Sequence, residues 1–212
     1  MTVANYLTFF RIFVSPIFLL VYLLHTSIGI SDIVLPYVLL FLVGVSELSD
    51  ALDGYYARKY NQVTDFGKIV DPMADSICRI TYLLAFTTGV VQLPMLLVFV
   101  FLYRDSVIST LRTLCALRGF TLAARTSGKV KAVVQAIAVI TILLLMIPHS
   151  LGWIPTSTLQ LVSMIVMSIA ALFAVGSGVE YVYVNRRYVG RLLRASPSRR
   201  ENMSNDSDYQ GS

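Results

Sequence analysis

Apolar residues occur along the chain in six long runs that are separated by short polar connections. Each run approaches the ~20 residues that a helix needs to cross a bilayer. The pattern therefore predicts an all-α, polytopic integral membrane protein with six transmembrane helices. The predicted spans are residues 6–24, 34–52, 69–91, 93–111, 130–147 and 159–184.

Lysine and arginine are confined to alternate connections. Residues 28–32, 89–94 and 149–158 contain neither, whereas the remaining connections and the end of the chain are basic. The positive-inside rule then predicts that both termini and the basic connections are cytoplasmic. We predict a membrane domain over residues 1–188, followed by a basic and then polar, disordered tail over residues 189–212.

The composition agrees with a membrane protein. Of the 212 residues, 56% are hydrophobic and 14% are charged, against about a quarter charged in soluble domains. These values exclude a disordered chain, a disulfide scaffold and an ordinary soluble enzyme. The net charge of +5 indicates topology and anionic lipid rather than nucleic acid. Cys78 and Cys115 lack metal-ligand spacing and are predicted to be buried packing residues.

Four aspartates lie at one edge of the predicted membrane region. Asp50 and Asp53 end the second span, and Asp71 and Asp75 begin the third. Residues three or four apart share a helix face, so each pair points one way, and the short connection brings the two pairs together. Converging carboxylates near hydrocarbon repel one another and are costly to bury. The spacing therefore predicts a site for divalent cations.

Carboxylate ligands favour Mg²⁺, Mn²⁺ or Ca²⁺ over zinc. Four of them could hold two ions ~3.5–4 Å apart, the usual arrangement for displacement at phosphorus. Gly54 and Gly67 would let a substrate approach the backbone, Ala57 keeps the same face small, and Arg58 could bind a diphosphate. Solvated carboxylates paired with Arg58 and Lys59 would explain one aspartate, but not four at these spacings. We therefore predict metal-assisted phosphoryl transfer at a membrane surface.

The segment from Asp50 to Asp75 resembles the signature of the CDP-alcohol phosphotransferase family, D-x2-D-G-x2-A-R-x8-G-x3-D-x3-D. The resemblance implies transfer of a phosphatidyl or other phospho-group from a CDP-linked donor to an alcohol, with release of CMP. It implies two Mg²⁺ or Mn²⁺ ions, with Asp75 also as the catalytic base. The implied metal ligands are Asp50, Asp53, Asp71 and Asp75. The implied CDP-binding residues are Asp53, Gly54, Ala57, Arg58 and Gly67.

A second polar set lies in the fourth and fifth spans. Arg104 and Arg112 are eight residues apart, a little over two helical turns, so they share a broad face. Lys129 and Lys131 follow in the string S-G-K-V-K. These four residues are candidates for binding the phosphate of an anionic acceptor. The alternative for Arg112 and the lysines is that they only anchor the helices at the cytoplasmic surface.

Three further strings resemble the branch of this family that uses sn-glycerol 3-phosphate. R-D-S-V-I-S-T-L-R and G-K-V-K-A-V-V-Q stand where that branch has R-E-x6-L-R and G-K-x-K-T-x2-Q, and N-Y-L-T-F-F-R is similar to its N-x-L-T-x2-R. S-G-V-E-Y near Glu180 is also similar. Asp105 replaces the branch's usual Glu, Ala132 its Thr and Ser76 its Lys. These departures leave the predicted metal ligands intact and bear on the acceptor.

The resemblance implies CDP-diacylglycerol and sn-glycerol 3-phosphate as substrates, with membrane lipids as surroundings. It further implies a homodimer in a bacterial inner membrane, with the active site facing the cytoplasm and no nucleic-acid partner. Inositol phosphate, inositol and phosphatidylglycerol are the alternative acceptors. A divalent-cation transporter is the alternative from another class, although transporter sites tend to lie near the bilayer midplane. A purely structural membrane protein would not explain the carboxylates.

Overall fold

Six α-helices and no strands make up residues 3–59, 65–117 and 126–186, which are the residues that the computed structural model describes. The all-α prediction is confirmed. The helices are α1 (Val3–Leu24), α2 (Leu35–Lys59), α3 (Asp65–Ala85), α4 (Met95–Leu117), α5 (Thr126–Ser150) and α6 (Thr156–Val184). The tail predicted over residues 189–212 lies outside the described residues.

The helices differ from the predicted spans mainly at their polar ends. α2 continues to Lys59 and α3 begins at Asp65, because polar residues at a membrane surface end an apolar run without ending a helix. The third predicted span was too long at its other end, since α3 stops at Ala85. The chain reverses there through Gly89, whose φ of +65° suits glycine. A Cβ at Gly89 would also lie 2.9 Å from the Tyr22 hydroxyl oxygen.

Among the described residues, three helices are long and apolar enough to cross a membrane: α5 and α6 almost throughout, and α2 over Leu35–Leu52. α1 carries a shorter apolar stretch, Thr8–Leu24, and charged residues interrupt α3 and α4. Large apolar side chains face outwards on several helices, with Phe41, Leu96 and Leu172 all about 70% exposed. An apolar exterior of this extent marks a membrane protein.

The helices form two groups of three. α1 packs against α2 and α3, α6 packs against α4 and α5, and contacts of α2 with α5 and α3 with α4 join the groups. Aromatic rings fill the first group, where the Phe18 and Tyr82 centroids lie 4.5 Å apart. Cys78 and Cys115 are buried free thiols, as predicted. This packing places Asp50, Asp71 and Asp75 beside α1, and the arginines of α4 beside α6.

Candidate active site

Asp50 of α2 and Asp75 of α3 converge on one guanidinium group, that of Arg11 in α1. Nη1 of Arg11 donates to Oδ1 of both carboxylates, at 2.5 Å for Asp75. The Arg11 side chain is only 2% exposed, whereas the side chains of Asp50 and Asp75 are 40% and 30% exposed. The arginine therefore lies beneath a carboxylate pair that remains open to the outside.

Asp71 approaches the same side of α1 as Asp50 and Asp75. The hydroxyl of Thr8 donates to Oδ1 of Asp71 at 2.7 Å. Thr8 and Arg11 are three residues apart, so both project from one face of α1. One helix therefore contacts the carboxylates of both α2 and α3.

A small cavity of about 10 Å³ adjoins the carboxylates and is lined by further polar residues. Glu47 lies one turn before Asp50 on α2 and contributes another carboxylate to the lining. Arg79 lies one turn after Asp75 on α3, with its Nη2 3.7 Å from Oδ2 of Asp75. The sequence analysis did not assign Glu47 or Arg79 to the site.

The carboxylates of Asp50 and Asp75 converge on a single nitrogen of Arg11, and carboxylate oxygens are ligands that suit Mg²⁺ or Mn²⁺. Among the side chains that the structure describes, no three His, Cys, Asp or Glu groups form a metal-holding cluster. The remaining predicted metal and CDP-binding side chains lie outside the described part of the chain. These are Asp53, Gly54, Ala57, Arg58 and Gly67.

Thr8 and Arg11 were missed as site residues, although the string N-Y-L-T-F-F-R that contains them was noted. An arginine within an apolar run needs a counter-charge, and in this chain the nearby aspartates are the available anions. Arg11 is such an arginine, because it lies within the first predicted span. The charge requirement was the signal that could have identified it.

A second charged cluster lies between α4, α5 and α6. Lys131 Nζ donates to both carboxylate oxygens of Asp105, at 2.8 Å and 2.9 Å. Arg104 Nη1 donates to Asp105 Oδ1 at 3.0 Å. Lys131 and Asp105 are 3% and 8% exposed. Lys131 is therefore the buried partner of Asp105, which is one of the residues that depart from the branch pattern. The Lys129 side chain lies outside the described part of the chain.

α6 supplies partners for both arginines of α4. Arg104 Nη2 donates to the Ser177 hydroxyl at 3.0 Å, and the Arg112 guanidinium carbon lies 5.3 Å from the centroid of the Tyr181 ring. Ser177 and Tyr181 are four residues apart and share a helix face. Gly178 lies close to Arg104, since a Cβ at this glycine would be 3.2 Å from the Arg104 Cγ. Both partners belong to the string S-G-V-E-Y.

Several buried polar atoms of the α4–α6 region have no hydrogen-bond partner among the described residues. They are the Nε atoms of Arg104 and Arg112, the Tyr181 hydroxyl and the side-chain amide of Gln135. An unmade hydrogen bond of this kind costs about 1–3 kcal/mol. Buried donors beside cationic groups are typical of a site for a polar, anionic ligand.

Comparison with known proteins shows the family of the chain. The sequence profile of the CDP-alcohol phosphatidyltransferase family matches residues 1–176. The chain belongs to this family and is an enzyme of the phosphatidyltransferase type. The family resemblance predicted from the sequence is confirmed, and the transporter and structural alternatives are set aside.

Three relatives illustrate the similarity. The CDP-diacylglycerol–glycerol-3-phosphate 3-phosphatidyltransferase of Bacillus subtilis is 34% identical, over 85% of this chain and 93% of its own. The enzyme of that name from Rickettsia felis is 35% identical, over 87% and 95%. A probable phosphatidylglycerophosphate synthase from Mycobacterium tuberculosis is 30% identical, over 91% and 86%.

Proposed function

We propose that the protein transfers the phosphatidyl group of CDP-diacylglycerol to sn-glycerol 3-phosphate, giving phosphatidylglycerophosphate and CMP. An acceptor hydroxyl oxygen bonds to the phosphorus that carries diacylglycerol, while the bond from that phosphorus to CMP breaks. The printed names of the Bacillus and Rickettsia relatives support both substrates. The assignment places the protein in phospholipid biosynthesis.

The choice of acceptor is supported by one observation, the positive charge of the second charged cluster, between α4, α5 and α6. The cations Arg104, Arg112 and Lys131 lie there with the carboxylate of Asp105. Burying such an excess of positive charge is costly without an anion. An acceptor that carries a phosphate supplies that anion, whereas uncharged inositol does not. In this proposal Arg104 and Arg112, together with Lys129, bind the acceptor phosphate, and Lys131 acts through Asp105.

The carboxylates of α2 and α3 would bind the metal ions and take up the proton that the acceptor hydroxyl releases. When bound, two Mg²⁺ or Mn²⁺ ions supply positive charge that offsets the diphosphate and stabilises the leaving CMP. Asp75 accepts the proton of the acceptor hydroxyl. Arg11 and Thr8 orient the carboxylates. The proposed metal ligands are Asp50, Asp53, Asp71 and Asp75, and the proposed CDP-binding residues are Asp53, Gly54, Ala57, Arg58 and Gly67.

We also propose that all six helices cross the membrane as one domain over residues 1–188. Each has 21–29 residues, enough for a span. α3 and α4 also present large apolar side chains outwards, including Met73, 48% exposed, and Phe99, 56% exposed. The basic connections then place both termini, the tail over residues 189–212 and the carboxylate site on the cytoplasmic side. A homodimer in a bacterial inner membrane completes the proposal.

The experiment that tests the function is CMP release by the purified full-length protein in detergent with Mg²⁺ and CDP-diacylglycerol. Glycerol 3-phosphate, inositol phosphate, inositol and phosphatidylglycerol are supplied in separate reactions. We expect CMP release with glycerol 3-phosphate and its loss on chelation of the metal. Release only with another acceptor would keep the reaction and overturn the acceptor, and release that survives chelation would overturn the metal requirement.

A further inference from the structure

An apolar groove runs along the outer surface between α4 and α6 and adjoins the second charged cluster at Arg104. Its volume is about 640 Å³, within the range of sites that hold a ligand. Val175, Val179 and Val182 line one wall, and Phe99 and Val107 line the other. Val179 and Phe99 are 65% and 56% exposed, so the groove opens towards the surrounding lipid.

The length of the groove matches one leaflet of a bilayer. Its α6 wall extends from Val175 to Arg186, just beyond the end of the helix. Eleven residues of helix rise about 16 Å, and half of a ~30 Å hydrocarbon core is about 15 Å. A lipid lying in the groove would therefore place its headgroup beside Arg186 and the end of its chain beside Val175.

The charges of the groove favour an anionic lipid. Arg104 and Arg186 are its charged lining residues, and no acidic residue is among the described residues that line it. The Arg104 guanidinium is already bonded to Asp105 and Ser177. Arg186 lies over the Tyr183 ring, 4.5 Å from its centroid, and its side chain is exposed. Arg186 can therefore meet a lipid phosphate at the membrane surface.

The groove is also separate from the helix that carries Asp50. In the part of the chain that the structure describes, α2 contacts neither α4 nor α6. We propose that the α4–α6 groove binds one anionic phospholipid of the surrounding leaflet, with its phosphate at Arg186 and an acyl chain along Val182, Val179 and Val175. This lipid is a ligand distinct from the substrate, and the proposal does not depend on which acceptor the enzyme uses.

The test uses tryptophan fluorescence of the full-length protein in phosphatidylcholine vesicles. The single natural tryptophan, 77% exposed, is removed by Trp153→Phe, and Tyr103→Trp places a new one in the groove. Quenching by phosphatidylglycerol with brominated chains is compared with quenching by brominated phosphatidylcholine. Phe41→Trp on the outer face of α2, 69% exposed, is the matched reporter of ordinary surrounding lipid.

We expect the groove reporter to show about fivefold preference for phosphatidylglycerol, as one arginine at an anionic membrane surface would give. The Phe41→Trp reporter should show a preference near one. Adding Arg186→Gln to the groove reporter should abolish the preference, and Arg186→Lys should retain most of it. Tyr183→Trp reports on the same groove if Tyr103→Trp does not fold.

Four results would overturn the proposal. Equal preference at the groove and at residue 41 would show ordinary surrounding lipid, and a preference that survives Arg186→Gln would remove the proposed headgroup contact. Absence of quenching in the groove, with normal quenching at residue 41, would show that another copy or segment covers it. Displacement of most of the phosphatidylglycerol by about one tenth as much CDP-diacylglycerol would assign the groove to the substrate.

Discussion

The two charged clusters of this protein are opposite in sign and similar in construction. Between α1, α2 and α3, carboxylates surround one buried arginine, Arg11. Between α4, α5 and α6, cations surround one buried carboxylate, Asp105. Each cluster therefore contains a minority of the opposite charge, Arg11 and Arg79 in the first and Asp105 in the second. Such a residue offsets the repulsion of like charges in a low-dielectric interior before any ligand arrives.

The clusters differ in which charges are accessible. Asp50 and Asp75 are 40% and 30% exposed above Arg11, so an external cation can reach them. Asp105 and Lys131 are both under 10% exposed, so that pair is closed to exchange. The first cluster is an open site, where the counter-ion can be displaced. The second contains a closed pair that holds the helices in place. Four substitutions test this distinction, from the largest expected effect to the smallest.

Asp75→Asn should lower kcat by about 1000-fold, because it removes one charge from the proposed metal site and the proposed proton acceptor. The amide has nearly the same size, so packing should survive. CMP release measures the effect. Asp32→Asn is the matched control, since Asp32 is 80% exposed in the connection between α1 and α2 and should leave kcat unchanged. A loss of less than tenfold in Asp75→Asn would contradict the proposed role.

Asp105→Asn should lower the free energy of unfolding by about 3 kcal/mol, because Lys131 and Arg104 would stay buried without their counter-charge. Denaturant unfolding in detergent measures the change. The double variant Asp105→Leu with Lys131→Met should lose less than the single variant, because it removes both buried charges of the pair. A double variant that is less stable than Asp105→Asn would show that the pair is itself a net stabilising element.

Arg112→Ala should raise KM for glycerol 3-phosphate about 30-fold, which corresponds to roughly 2 kcal/mol for a hydrogen bond to a charged group. KM for CDP-diacylglycerol should not change. Thr113→Ala, at the exposed neighbouring position on α4, serves as the control and should leave both KM values unchanged. Equal rises in both KM values for Arg112→Ala would indicate a general loss of structure and contradict specific acceptor binding.

Arg11→Met should strengthen Mg²⁺ binding about fivefold, because it removes the cation that competes for the partly exposed carboxylates of Asp50 and Asp75, an effect of up to about 1 kcal/mol. Calorimetric titration of Mg²⁺ measures the affinity, and the Mg²⁺-dependent rise in unfolding temperature should exceed that of the natural protein. Arg11→Lys keeps a cation and should bind Mg²⁺ close to normally. Weaker binding in Arg11→Met would show that Arg11 supports the ion rather than competing with it.

Hydropathy was sufficient to predict the helices, but less reliable for where they end. The six apolar runs correspond to six helices in order, because each helix must bury or expose to lipid an apolar surface of its own length. The predicted second span ended at Leu52, yet α2 continues through polar residues to Lys59. Backbone hydrogen bonding continues through polar residues, so hydropathy cannot fix a helix end at a membrane surface.

For the charged residues, too, the sequence predicted one part of the arrangement and not the rest. Spacing alone predicted that Asp50 and Asp75 would lie near each other, because helix periodicity and a short connection constrain them. Spacing could not predict that Arg11, 39 residues before Asp50, bonds to both. Nor could it show that Asp105 binds Lys131, from a different helix. Sequence distance carries no information about partners that meet through helix packing.

The sequence by itself determined the membrane class, the family and the residue types of both charged sites, since these follow from local hydropathy and from motifs with fixed spacing. Only the tertiary structure decided which buried charges are paired and which remain open to a ligand. Thr8 and Arg11 contact the carboxylates because α1 packs against α2 and α3. Ser177 and Tyr181 contact the arginines of α4 because α6 packs against α4. The physical reason is that an ion pair depends on distances of a few ångströms between helices, and the packing of the whole bundle sets those distances.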